Sequence, residues 1–444
     1  MTDTLASIVL AAGRGTRMKS RVPKLLHPAC GRPLLAWSLG AVEPLGASPA
    51  VVVVPPDEPQ LAVLVPEWAT AAVQHTARGT GDAVLAAREA LAGFAGDVLV
   101  MNADHPLIEA DTLRDLVAAH RTAGAAATLL TFERTATIGE DFGRIVRDAS
   151  GNVTGIVEVR DASPDQRSIA EVNSGYYVAR ADLLWSALDR VTDDNDQGEL
   201  YLTDIVGILS ADGAGVHAHV HDDPLVAKGV NTRVDLAEAD AELRARINRR
   251  HQLDGVTIVD PASTFIEPTV EIEADAVIHP FTVLRGATSV AAGAQVGPHV
   301  VAVDATIGRD ALVGPFCYLR PGATLLDGAK AGTYVEIKNS VLGEGAKVPH
   351  LSYIGDADIG SGTNIGAGAI TANYDGHSKQ RTTIGQDVHT SSHNVFVAPV
   401  TIGDGAWTGA GSVITDDIPP DALGVARAKQ TNIPGYGTRK RRQR

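Results

Sequence analysis

The chain has 444 residues, 44% hydrophobic and 20% charged, too long for one ordinary core and apolar enough to fill two or three. A formal net charge of −15 argues against a general binder of nucleic acids or anionic membranes, which needs a net basic surface to displace counterions. The two cysteines, Cys30 and Cys317, lie in different halves without neighbours at metal-ligand spacing, so no disulfide scaffold or zinc site is expected, and a reducing, cytoplasmic compartment fits.

The N-terminus runs straight into the strand-like SIVLAAG with no export signal, and no run of about 18 apolar residues predicts a membrane span. Up to about residue 230, short β-rich runs (7–11, 50–54, 97–101, 127–132) alternate with stretches such as 81–92 and 111–121 that carry apolar residues at helical spacing. This order predicts an α/β, Rossmann-like layered sheet, whose ligands bind beyond the carboxyl ends of its strands. The first strand is followed by LAAGRGTRM (10–18) and RVPKLLH (21–27). Gly13 and Gly15 let backbone N–H groups approach an anion, and Arg14, Arg17 and Lys24 supply charge against phosphate. The loop lacks the third Gly of a dinucleotide fingerprint and the GK[ST] ending of a P-loop, so alone it is equally a turn. Asp104 ends DVLVMNAD, which puts its carboxylate at the ligand edge; its other reading is a cap before Pro106.

Residues 233–252, RVDLAEADAELRARINRRHQ, are free of Gly and Pro and predict one long helix between the halves. After it the apolar period becomes six, as in Ile266, Ile272, Ile278, Leu284, Val290 and Val296, and many later beats are followed directly by Gly. No α-helix or ordinary strand repeats every six residues. A coil of short flat faces, each with one inward aliphatic, does, and this predicts a parallel β-helix whose repeat residues are mostly core. The polar interruption TANYDGHSKQRTT (371–383) fits such a coil only as a protruding loop, where function tends to sit. The basic tail from Arg439 onward reads as a solvated end.

These features, with GVNTR (229–233), LRPG (319–322), VEIKN (335–339), PHLSYIGDADIG (349–360) and NIGAGAITANYDG (364–376), make the chain resemble the bifunctional N-acetylglucosamine-1-phosphate uridylyltransferase/glucosamine-1-phosphate N-acetyltransferase family over about residues 7–430. The resemblance implies a uridylyltransferase domain over 1–232, a linker helix over 233–254, a left-handed hexapeptide-repeat β-helix acetyltransferase domain over 255–430, a basic tail over 431–444, and a homotrimer. It implies acetyl transfer from acetyl-CoA to glucosamine-1-phosphate. Uridylyl transfer from UTP to N-acetylglucosamine-1-phosphate then releases pyrophosphate.

For uridylyl transfer it implies Leu10, Ala11, Ala12, Gly13, Asn102, Ala103 and Asp104 on the nucleotide, Lys24 and Arg17 as catalytic cations, and Gln74, Gly79 and Thr80 on uracil. Gly143, Glu158 and Asn173 would meet the sugar, and Asp104 and Asn231 would hold Mg²⁺. Such transfer needs in-line positioning, a metal and cations more than a protein base. Two positions depart from the family pattern: Ala103 stands where Gly is usual, and its methyl is expected to crowd the nucleotide, while Phe142 stands where Tyr is frequent.

In the coil, Arg320 and Lys338 are cations in an otherwise small, aliphatic setting, stranded unless an anion such as a sugar phosphate meets them. The resemblance adds Tyr353 and Asn364 to that sugar phosphate. It places His350 as general base for the attacking amine, with an acid such as Glu336 to orient it; outside this context a structural His is the plainer reading. For acetyl-CoA it offers Ala367, whose N–H suits an oxyanion, with Asn373, Tyr374, Ser392, Ala410 and Arg427. Ser391, Ser392 and His393 replace the family's usual Gly-Ser-Asp. His389 and His393 are spaced like zinc ligands on a helix, but the six-residue beat excludes a helix there, so both read as surface residues of the coil. Two other readings stay open. One is a different sugar-1-phosphate nucleotidylyltransferase with a regulatory coil, against which the set Arg320, Lys338, His350 and Tyr353 stands. The other is a non-catalytic scaffold, against which Lys24, Asp104 and Asn231 stand.

Overall fold

The computed structural model describes residues 4–195 and 197–443; the start of the 1–232 domain at residues 1–3, and Arg444 of the basic tail, lie outside the described residues. The chain divides into two compact units, Met1–Leu243 and Arg244–Arg444, with the boundary inside the helix Arg233–Leu253. Among the described residues no helix is long and apolar enough to cross a membrane.

The first unit is built on a sheet of β1 (Leu5–Leu10), β2 (Ala50–Val54), β3 (Thr70–Val73), β4 (Asp97–Asn102), β5 (Ala127–Glu133), β6 (Arg144–Arg147), β7 (Val153–Val157), β8 (Glu171–Arg180) and β9 (Val216–Val220). Its main path runs β9-β5-β8-β4-β1-β2-β3, with β6 joined to the β8 edge and hairpinned to β7. Along that path only β8 runs antiparallel to its neighbours, inserted between β4 and β5. The expected strands fall on β1, β2, β4 and β5. These are near-continuous apolar runs because both faces of the sheet are covered. Val9, Val52, Leu99 and Met101 feed one core, while Ile8, Val51, Val53, Val98 and Val100 feed the other.

The helix expected over 111–121 spans Ala110–Ala123 and stops at Gly124, which takes a left-handed φ of 56°. That expected over 81–92 is shorter, Thr80–Leu85. Beyond it, bonds from Ala87 N to Val84 O and from Arg88 N to Leu85 O, 3.0 Å each, tighten the chain into single turns. Strands β1, β2 and β3 follow one another outward, and β4 then crosses to the other side of β1. That reversal opens a crevice at the carboxyl ends of β1 and β4, where an open α/β sheet takes its ligand.

In the second unit the six-residue beat resolves into three parallel sheets of 6, 9 and 8 short strands, each strand pairing with the equivalent one a full coil later. The inward residues stack in register: Ile278 on Val296 on Val313 on Ala331 on Val348, and Leu284 on Ala302 on Leu319 on Ile337 on Ile354. Glycine follows many of them because the next coil passes too close for a side chain. A Cβ at Gly308 would lie 2.7 Å from the Leu326 carbonyl carbon, and one at Gly360 2.5 Å from Gly385. The expected interruption leaves the prism after Ile370–Ala372 and rejoins it at Thr382–Ile384, folding back on itself through an antiparallel bridge between Tyr374 and Lys379. Ile337 is wholly buried at the centre of its stack. Ile337→Ala should therefore lower stability by about 2–5 kcal/mol, read as an earlier urea transition by far-ultraviolet circular dichroism.

Candidate active sites

The crevice at the β1 and β4 ends is a cavity of about 410 Å³. Leu10, Ala12, Gly13, Lys24, Gln74, Gly79, Thr80, Asn102, Asp104 and Asn231 line it, joined by Arg14, His105 and Glu199. Lys24 is its electrostatic centre. The ammonium lies 2.5 Å from Asp104 Oδ2 and 3.3 Å from Asn231 Oδ1, with the lysine side chain only 8% exposed. Gly15 makes this approach possible: it sits at φ 56°, and a Cβ there would be 2.5 Å from that of Lys24. Asn231 is presented by the start of the long helix, where Asp235 Oδ2 accepts from the Asn231 and Thr232 N–H groups at 2.9 and 2.7 Å. The Val230 N–H donates to Asp104 O at 2.9 Å, tying this segment to the end of β4.

Burial alone would lift the Asp104 carboxyl above its usual range. Lys24 and His105 overcome it and hold the group below that range. His105, which sequence reasoning missed although it adjoins Asp104, is buried and therefore kept towards the neutral form. Its Nδ1 is 2.9 Å from the Tyr176 hydroxyl, which donates to Val226 O.

Three expected contacts are not brought to this cavity. Arg17 is exposed on the loop and does not line it. Ala11 and Ala103 are buried in the core beneath the sheet. The Ala103 N–H donates to Leu10 O at 3.0 Å and its carbonyl accepts from Ser38 Oγ at 2.8 Å. The Ala103 methyl therefore packs into the core, and the expectation that it crowds a nucleotide fails for that reason.

Gly143, Glu158 and Asn173 stand together. The Asn173 N–H donates to Gly143 O at 2.8 Å, and a Cβ on Gly143 would be 3.4 Å from Glu158 Oε1. Asn173 Nδ2 donates to the Tyr177 hydroxyl at 2.6 Å. Glu158 lines a second depression of about 580 Å³ with Asp161, Tyr201, Thr203 and Asp204. Burial raises its pKa and Asp161 and Asp204 add to the effect, against a hydrogen bond from Thr203.

On the coil, Arg320 and Lys338 occupy successive turns: the Arg320 N–H donates to Ile337 O at 2.8 Å, and Lys338 is in register with Gly355. Neither is stranded, contrary to expectation. Arg320 Nη1 meets Glu336 Oε1 at 2.8 Å, Lys338 Nζ lies 3.6 Å from Asp356 Oδ2, and the cation side chains are 37% and 20% exposed. Glu336 is thus taken by Arg320. Among the described residues the exposed His350 ring has no hydrogen-bond partner, so the expected orienting acid is not in place. A side chain at Gly355 would run into the Tyr353 hydroxyl, which puts that hydroxyl over Gly355 beside Lys338. Sequence reasoning also missed Lys379. The protruding loop brings it against Lys338, which holds its pKa below the ordinary lysine value. Its one signal was being the lone lysine of the polar interruption. Arg320, Lys338 and Lys379 against Glu336 and Asp356 leave one positive charge over.

Along one edge of the coil, backbone bonds from Gly368 N to His350 O (3.3 Å), His393 N to Ala367 O (2.7 Å) and Gly411 N to Ser392 O (2.9 Å) stack His350, Ala367, Ser392 and Ala410 at equivalent corners. Asn364 lies in register with Lys347 and His389 on the adjoining face. Asn373 is buried and gives its amide to Asp356, while Tyr374 and Arg427 are exposed. His389 stacks on Trp407 at 4.6 Å and His393 turns a corner at φ 58°, so both are surface residues of the coil.

Residues 7–206 match the model of the MobA-like NTP transferase domain family. Over 98% of its length the chain is 48% identical to the bifunctional protein GlmU of Mycolicibacterium vanbaalenii, spanning 93% of that protein. It is 46% identical to the bifunctional protein GlmU of Corynebacterium efficiens, over 98% of this chain and 94% of that one. A solved UDP-glucose pyrophosphorylase structure with UDP-glucose aligns with 55% of this chain and 99% of its own, at 17% identity and a TM-score of 0.45, a likeness too slight to argue from. With Lys24→Met, burial of Asp104 would be opposed only by His105 and a backbone hydrogen bond. Its carboxyl should then titrate above the ordinary range instead of below it, as read by carbon-13 NMR; an unmoved titration would contradict the ion pair.

Proposed function

Because the chain belongs to the family of bifunctional GlmU proteins, we propose that each of its two units carries one step in making UDP-N-acetylglucosamine. The chain is a bifunctional transferase, a uridylyltransferase and an acetyltransferase. Its fold is a Rossmann-like nucleotidyltransferase sheet followed by a left-handed β-helix. The domain limits we propose are 1–232, 233–254 and 255–430 with a basic tail, in a cytoplasmic protein.

In the crevice, Gln74, Gly79 and Thr80 take the uracil of UTP. Leu10, Ala12, Gly13 and Asn102 take the rest of the nucleotide, and Gly143, Glu158 and Asn173 take the sugar of N-acetylglucosamine-1-phosphate. Asp104 and Asn231 would hold Mg²⁺. Their two oxygens already converge on a cation, the Lys24 ammonium, and carboxylate and amide oxygens suit a hard ion. Bound there, the metal would neutralise charge on the transferring phosphates. The sugar phosphate oxygen attacks the α-phosphorus in line and pyrophosphate leaves. Lys24, with Arg14 and Arg17 from the glycine loop, offsets the charge on the leaving group.

On the coil, Arg320 and Lys338, joined by Lys379, grip the phosphate of glucosamine-1-phosphate, with Tyr353 and Asn364 on the sugar. His350 takes the proton that the amine sheds as it attacks the thioester carbonyl of acetyl-CoA, and the CoA thiolate leaves. Among the described residues the Ala367 N–H has no acceptor, which suits it to the oxyanion of the tetrahedral intermediate. Asn373, Tyr374, Ser392, Ala410 and Arg427 surround the CoA. A homotrimer is supported by an exposed ladder of Phe281, His299, Phe316 and Tyr334, stacked at 4.7, 4.9 and 5.1 Å, a surface suited to a second copy.

The observation that carries the reading is Lys24 held between Asp104 and Asn231 at the switch point of the sheet, in a chain whose identity to its relatives spans both units. The test assays the two steps apart, free CoA from acetyl-CoA plus glucosamine-1-phosphate and pyrophosphate from UTP plus N-acetylglucosamine-1-phosphate. His350→Ala should abolish the first and spare the second, and Asp104→Ala the reverse; loss of both steps in each folded variant would refute two independent sites.

A further inference from the structure

A glutamine side chain has two chemically opposite ends, an NH₂ that donates and a carbonyl that accepts, and the end that faces a ligand decides what it reads. Gln74 stands just past the carboxyl end of β3, its N–H bonded to Val54 O at 3.0 Å, and it lines the crevice while being 93% buried, that is, 7% exposed. Behind it lies Asp82, in the first turn of the helix Thr80–Leu85, which does not itself line the crevice. Gln74 Nε2 donates to Asp82 Oδ2 at 2.9 Å and to Gly79 O at 3.3 Å, so both its hydrogens are committed to the protein. Asp82 is secured in turn from the solvent side, where Arg78 donates to Oδ1 from Nη2 at 2.8 Å and from Nε at 3.2 Å.

The orientation of the amide follows from this arrangement. A carboxylate paired with a guanidinium offers only acceptors. Turning the amide over would set its oxygen against Asp82 Oδ2 and against the Gly79 carbonyl, two repulsive contacts in a buried place. Gln74 is therefore left with Oε1 as its one uncommitted polar atom. The plain alternative for Asp82 is an acid that merely suits the positive end of a short helix. That role would place no demand on Gln74 and would leave base preference untouched.

We infer that Asp82, anchored by Arg78, is a positioning residue that fixes Gln74 as a hydrogen-bond acceptor, and so selects a nucleobase whose pairing edge carries a ring N–H over one with a bare ring nitrogen. Among pyrimidines this separates uracil, with N3–H, from cytosine, whose N3 is itself an acceptor; it does not separate uracil from thymine. The inference rests on the reading of the crevice as a uridine nucleotide site and deepens it.

The test measures binding of UTP and of CTP to the full chain by calorimetry, for the wild type, Asp82→Ala and Arg78→Met. In Asp82→Ala the amide is free to turn, and the UTP-to-CTP affinity ratio should fall by at least about tenfold, because a site built around one hydrogen-bond polarity rejects the other strongly. Arg78→Met loosens the anchor without touching Gln74. It should lower the ratio by a smaller factor, and since Arg78 is mostly exposed it serves if Asp82→Ala does not fold. An equal loss for both nucleotides, or an unchanged ratio in the folded variants, would overturn the inference while leaving a uridylyltransferase. A wild type that binds neither nucleotide would instead sink the reading on which it rests.

Discussion

The crevice at the ends of β1 and β4 depends on one contact, the ammonium of Lys24 against the carboxylate of Asp104. A cation this deeply covered persists only where an anion and further hydrogen bonds meet it, and breaking such a pair by removing one partner typically costs about 3–5 kcal/mol. Much of the surrounding architecture follows from that requirement. Gly15 gives up its side chain so that Lys24 can close over the β1 end. The crossover of β4 puts Asp104 beside β1, and Asp235 caps the long helix so that Asn231 reaches the same point. Three segments far apart in sequence are thereby made to converge, the positioning that the proposed transfer would require.

The coil holds its two cations through a more exposed contact and a longer one. Arg320 with Glu336 is a partly exposed pair, and a pair in that setting contributes about 0–1 kcal/mol, while Lys338 stands off the buried Asp356 at 3.6 Å. These contacts hold the cations in place without holding them tightly, so in the proposed acetyl transfer an incoming phosphate would displace weak partners instead of breaking a strong one. The surplus charge from Lys379 would favour that exchange. Exposure also explains why His350 stands without a carboxylate. A corner position on a prism leaves its ring facing outward, on the edge shared with Ala367, Ser392 and Ala410, while Glu336 belongs to the next face and turns to Arg320.

What was legible in the sequence was whatever repeats or runs. The six-residue beat found the inward residues of the prism because each coil obeys the same steric rule, and the apolar runs found β1, β2, β4 and β5 because a doubly covered parallel strand has no polar face. β8 escaped because its sequence, EVNSGYYVAR, is broken by polar residues and by Gly175, where the register slips between Asn173 and Tyr177. The crevice was legible in its glycine loop and in Asp104 but not in His105 or Glu199, which carry no spacing signal. Pairings across coils, such as Arg320 with Glu336, were illegible for a simpler reason: residues sixteen apart become neighbours only once the pitch of the coil is known.

The hardest feature to read from sequence is the polarity of a side chain, as opposed to its position. Resemblance places Gln74 against a base, but the residue type is silent on which end of the amide is presented. That is settled eight residues later by Asp82, and again by Arg78, neither of which touches the crevice. The same holds on the coil, where Asn373 resembles a CoA contact yet has its amide nitrogen committed to Asp356. In both places a carboxylate lies behind an amide and accepts from its nitrogen. At Gln74, a contact assigned by residue type alone thus has its chemistry decided by the next layer of the protein.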